Sequence, residues 1–140
     1  MGGRGAFINV DMNEFTFIEN GQIYHTIGFE DNVKYIIQDD HKGGKKIPDY
    51  SHSDNGIYVL IAKGKIKQIG IYEDHRKIKS IDLLHTHKNK ITGEILNWHY
   101  HDDLNHIEEP HKLSEDDIKL VYKIFKKGNK YLWIMNTNIH

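Results

Sequence analysis

The chain of 140 residues carries 19 lysine and arginine side chains against 20 aspartates and glutamates, a net charge of −1, with 11 histidines and no cysteine. That length suits one domain with its own core, and the near-balanced charge excludes a strongly phosphate-neutralising surface. Without cysteine there can be no disulfide framework, thiolate zinc finger, iron–sulfur cluster or thiol nucleophile, so a metal would have to rely on imidazole and carboxylate.

Residues 1–10 open with Met1-Gly2-Gly3-Arg4-Gly5-Ala6 and are expected to be a flexible glycine-rich leader, with residues 11–140 forming a single α+β domain. Glu14–Ile18 and Gln22–Ile27 flank Asn20-Gly21, the strongest short-range signal for a type I′ hairpin. Val33–Gln38 predicts a short strand. The polar stretch from Asp39 to Asp54, with Gly43-Gly44 and Pro48, predicts a long loop. Ile57–Ala62, Lys65–Tyr72 and Lys77–Leu84, divided by Lys63-Gly64 and by Glu73–Arg76, predict an antiparallel meander. Ile66 has the opposite parity to Ile69 and Ile71, which implies a bulge near Gln68.

Ser114–Lys127 predicts a helix. Ser114 and Asp117 resemble a capping box, and Ile118, Val121, Tyr122 and Phe125 form one apolar stripe. Acidic side chains lead it, lysines trail it, and Gly128 is expected to stop it. Tyr131–Met135 then reads as a final short strand. The expected fold class is α+β: a mostly antiparallel sheet of hairpins and meander with one C-terminal amphipathic helix packed on it. Trp98, Tyr100, Tyr122, Phe125 and Trp133 are expected in the core. No run approaches the roughly 20 apolar residues of a membrane span, and the N-terminus lacks the apolar run of a secretory signal, so a soluble, intracellular protein is expected.

His85, His87, His99 and His101 form two H-x-H pairs on either side of Thr92-Gly93. Residues i and i+2 of a strand share a face, so each pair presents two imidazoles side by side. A hairpin centred on Gly93 would set His87 opposite His99 and His85 opposite His101, a geometry suited to one metal ion. The register is sensitive, since a one-residue slip would turn one pair to the other face. His106, His111, Asp102, Asp103 and the Glu108-Glu109 pair follow closely and can complete the set. The candidate ligands are therefore His85, His87, His99, His101 and His106. Neutral imidazoles favour zinc, with nickel and copper as alternatives, and enough protein ligands exist to close a structural site. No H-E-x-x-H helix or deaminase signature is present. Asp82 is expected to be a solvated acid, with a place behind the metal ligands as the alternative if the chain bulges.

Other residues have plainer readings. Lys88 and Lys90 can serve a phosphate if the histidines act as general acid and base, but solvated turn lysines are the simpler account. Lysines 63, 65 and 67 read as a solvent face. Asp102–Asp117 holds seven acidic residues against one lysine and can dock on a basic protein surface, although the helix start explains part of that run.

The Met1-Gly2-Gly3-Arg4-Gly5 opening resembles the start of many small phage and prophage proteins. Pro48-x-Tyr50-Ser51, Asn55-Gly56-Ile57-Tyr58, Gly64-Lys65-Ile66-Lys67-Gln68-Ile69, Ile71-Tyr72, Ile81-Asp82-Leu83 and the H-x-H pairs make residues 45–125 similar to a phage-borne family. The resemblance extends to compact zinc-binding inhibitors of the type II CRISPR nuclease. It implies a structural zinc and an anti-CRISPR protein in the host bacterial cytoplasm, which binds the effector nuclease and neither a membrane nor nucleic acid directly. Relatives also resemble C-terminal modules of phage-delivered toxins, which implies the alternative of a small nuclease.

Overall fold

The computed structural model describes residues 16–19, 21–39, 46–52, 54–102 and 107–138. The expected leader, Glu14, Asn20, Asp103 and His106 lie outside them. β1 (Thr16–Glu19), β2 (Gln22–Glu30), β3 (Val33–Gln38), β4 (Asn55–Ala62), β5 (Lys65–Glu73) and β6 (Arg76–Asp82) lie side by side in chain order. Residues 83–98 then leave the sheet and carry a small hairpin of β7 (His87–Lys88) and β8 (Ile95–Leu96). β9 (His99–Asp102) returns beside β6, and β10 (Ile107–Lys112) follows as the eighth strand of the main sheet.

The local chemistry of the chain explains most of this order. Glu19 pairs with Gln22, Ala62 with Lys65 and Glu73 with Arg76, leaving two-residue turns between strands. Gly21, Lys63, Gly64, Asp74 and His75 take the positive φ that mirror-image turns require. The expected bulge is present: Leu60 pairs with Gln68 and Ile61 with Ile66, so Lys67 is the extra residue. It lets Ile66 and Ile69 bury on the same side despite their parity.

Only β3 and β4 run parallel among the described pairs, and a parallel pair needs a crossover. The polar stretch after β3 supplies it. Its described part, residues 46–52, forms a strap over one face of the sheet, where Ile47 is fully buried among Phe17, Tyr24, Ile36, Tyr58, Leu60 and Tyr72. The Tyr24 hydroxyl donates to the Lys46 carbonyl at 2.6 Å, and the Tyr72 hydroxyl donates to the Pro48 carbonyl. The opposite face carries Tyr35, Val59, Ile61, Ile69 and Ile81 beneath the helix. With both sides covered, β4 is a continuous apolar run, as a strand buried on two faces must be.

The helix α1 (Glu115–Asn138) begins with a reciprocal cap: the Asp117 N–H donates to the Ser114 hydroxyl at 3.1 Å, and the Ser114 N–H donates to the Asp117 carboxylate at 3.0 Å. Two expectations fail here. The helix runs through Gly128 and occupies the place of the expected strand at Tyr131–Met135. Gly128 is a contact residue, since a Cβ there would lie 2.6 Å from the Tyr35 ring. Gly28 on β2 does the same for Tyr131, where a Cβ would lie 2.2 Å from the ring, and the two tyrosines pack at 4.7 Å between centroids.

The buried stripe is also rotated from the expected one: Asp117, Val121, Ile124, Gly128 and Tyr131 face the sheet, while Ile118 and Tyr122 are exposed. Asp117 accounts for the rotation, because its carboxylate reaches inward to Lys79 on β6 at 2.6 Å. Trp98 covers the side of the helix that carries Tyr122 and Phe125, and the Trp133 side chain is outside the description.

Replacing Gly28 by alanine should cost about 1–3 kcal/mol in denaturant unfolding, because Tyr131 is held by the Phe29 carbonyl and Glu30 and has no room to retreat. At Asp117 burial works to raise the pKa, but Lys79 and the Ser114 bonds outweigh it and hold the carboxyl below its ordinary value of 3.8. A depressed carboxylate contributes stability that is present above the ordinary pKa and lost as the pH falls through the lowered one. Asp117→Asn should therefore lower stability at neutral pH by about 1–3 kcal/mol. It should also flatten the loss of stability that the parent shows below about pH 4, measured by urea unfolding across the acid range.

Candidate metal centre

A row of directly paired residues crosses the strap face: Ile36 on β3, Leu60 on β4, Gln68 on β5, Asp82 on β6 and His99 on β9. The row changes from apolar to polar at Gln68. Strand alternation sets His101, paired with Ser80, beside His99 on this face, as the H-x-H spacing predicts. The excursion formed by residues 83–98 folds back and brings His85 and His87 against them. Ring centroids lie 5.3 Å apart for His85 and His99, 5.5 Å for His87 and His99, 5.3 Å for His87 and His101, and 5.1 Å for His99 and His101.

The four histidines converge, but not through the expected hairpin. His87 pairs with Leu96, and His99 pairs with Asp82. The turn around Gly93 is wider than two residues, because the Asn89 side chain caps it by accepting the N–H groups of Ile91 and Thr92. Asp82 is the second correction. It is buried, and its Oδ2 lies 3.2 Å from His99 Nε2, 3.3 Å from His101 Nε2 and 3.8 Å from His85 Nε2. A carboxylate amid the apolar Ile81, Leu83 and Leu84 was the available signal. Gln68 was missed as well.

His111 belongs elsewhere: it pairs with Tyr100, on the helix side of the sheet, and stacks on its ring at 4.9 Å. The Glu109 carboxylate accepts the Lys90 N–H, and the Asn89 amide donates to the Pro110 carbonyl, so the tip of the excursion rests on β10.

The protonation states follow from these contacts. His99 is completely buried, and its Nδ1 lies 3.0 Å from the Asn97 carbonyl, which can only accept, so Nδ1 carries the proton. Burial drives the His99 pKa below its ordinary value; Asn97 and Asp82 oppose this in part, and the neighbouring His101 and His85 add to the lowering. Burial also works to raise Asp82, but His101, His99 and His85 outweigh it and keep its pKa low. A neutral His99 therefore holds a bare Nε2 lone pair 3.2 Å from an ionised carboxylate oxygen but off the axis of a hydrogen bond to it, and that nitrogen has no hydrogen-bond partner. Two electron-rich atoms held this close repel unless a cation binds to both.

The donor atoms form two groups able to hold a metal ion, His87 with His99 and His101, and Asp82 with His85 and His99, each with its atoms within 4.8 Å of one another. Both use His99, whose only free nitrogen is Nε2, so the two groups could share one ion but not hold two. Tetrahedral ligands at zinc bond lengths are roughly 3.3–3.4 Å apart, which the Asp82 contacts to His99 and His101 already match. His85, with more than half of its side chain exposed, lies on the open side. Comparison with protein-family models, curated proteins and solved structures finds no match to this chain.

His99→Ala should abolish tight metal binding, because it removes the nitrogen common to both groups. His85→Ala should weaken binding by about tenfold, the low end of the scale on which a supporting group acts. Competition against a chromophoric chelator measures both.

Proposed function

We propose that this site holds one structural zinc ion and that the chain acts by binding another protein, without turning over a substrate. The observation that carries the metal is the buried His99 nitrogen facing Asp82. Imidazole nitrogens with a single carboxylate oxygen suit zinc far better than magnesium or calcium, which seek mostly oxygen. Asp82, His99 and His101 stand on sheet strands and His87 on the excursion, so the ion ties residues 83–98 to the sheet and these four side chains close its coordination shell, with His85 beside them. The excursion exposes Leu84, Ile91 and Ile95, apolar side chains that a partner would cover.

The partner follows from the likeness to phage accessory proteins: the type II RNA-guided DNA nuclease, blocked in the host cytoplasm by occupation of a surface that DNA loading or cleavage requires. The acidic run contributes less than its composition suggests, since Asp117 is buried on Lys79 and Glu109 is engaged by Lys90. No helix among the described residues is long and apolar enough to cross a membrane.

Elemental analysis of the protein purified without a histidine tag should find about one zinc per chain, and its removal by chelator should lower the melting temperature by about 10 °C or more. Near-equal amounts of protein and guide-loaded nuclease should stop DNA cleavage; full cleavage at large excess removes that partner. Degradation of RNA or DNA by the protein alone would replace the binding role with a hydrolytic one.

A further inference from the structure

Gln68 stands between the metal centre and the strap, with both ends of its amide in use. Its Oε1 accepts the Ile47 N–H at 2.9 Å, and its Nε2 donates to Asp82 Oδ1 at 2.8 Å. The Ile47 N–H can only donate, so the amide has one workable orientation; turned over, it would set donor against donor and oxygen against carboxylate. The backbone of the strap thereby dictates which end of Gln68 meets Asp82. Oδ1 is held as an acceptor, and Oδ2 is left facing His99, His101 and His85.

We infer that Gln68 is a positioning residue that makes Asp82 a one-oxygen ligand and couples metal binding to the seating of the strap at residues 46–52. The inference rests on the zinc reading above. An ion on Oδ2 fixes the carboxylate plane, the fixed plane holds the Gln68 amide, and the amide holds Ile47. Coupling of this kind is reciprocal, so a well-seated strap also tightens the metal site. The strap has its own anchors, the Gln38 side-chain oxygen on the Lys46 N–H and the Tyr24 and Tyr72 hydroxyls, so it stays near the sheet without zinc while the Ile47 contact loosens.

Gln68→Met keeps the side-chain length and removes both bonds. Its zinc dissociation constant, from chelator competition, should rise about 10–100-fold. In the parent protein, hydrogen exchange at the Ile47 amide should slow by about fivefold or more when zinc is added, and that response should vanish in Q68M. Equal zinc affinity in Q68M and parent, or an Ile47 amide indifferent to zinc, overturns the coupling and leaves the zinc reading standing. A parent protein that binds no zinc overturns both. Should Q68M fail to fold, the Ile47 measurement on the parent alone decides the matter.

Discussion

The contact between the His99 imidazole and the Asp82 carboxylate is the point on which the histidine face depends. In water the two groups would be ordinary neighbours; excluded from water, with the His99 proton committed to Asn97, they leave two electron-rich atoms set against each other at 3.2 Å, off the axis of a hydrogen bond. The surrounding fold enforces the opposition. Asp82 and His99 are paired residues on adjacent strands, Ile81 between the polar positions is fully buried on the other face, and Gln68 holds the far side of the carboxylate. A cation bound to both would relieve this repulsion without moving a strand.

The two faces of the sheet divide the labour. The helix side is a packed apolar layer in which Gly28 and Gly128 admit the rings of Tyr131 and Tyr35, and interdigitation of that kind gives a rigid platform. The other side grades from an apolar core under the strap to a polar cluster under the excursion, along one row from Leu60 to His99. Rigidity on the first face lets the second hold five titratable side chains in one place.

Much of this was legible in the chain itself, for identifiable reasons. Strands β1 to β6 announce themselves because every connection except the crossover between β3 and β4 is two residues long and chemically distinctive, and because the Ile66 parity break marks a bulge. The two H-x-H pairs were readable because strand alternation is a local property. What could not be read was long-range: the jump from Asp82 to His99 passes over residues 83–98, and nothing local favours that pairing over a hairpin at Gly93. Asp82 looked solvated for want of its partner. Gly128 looked like a helix stop because the tyrosine that needs its missing side chain lies on β3, far away in sequence. Likewise the His111 position on β10 opposite Tyr100 places it on the helix side, a fact of register that composition near the cluster conceals.

The resting place of the excursion's tip has a consequence for how these molecules meet one another in concentrated solution. β10 is the last described strand of the main sheet, and a terminal strand with open backbone groups invites a neighbour's strand to add to it. Here Pro110 brings no N–H, its carbonyl is taken by Asn89, and the Lys90 backbone crosses to Glu109. The segment that delivers two imidazoles to the centre thus also covers part of this border, leaving a neighbour's strand less open backbone to pair with.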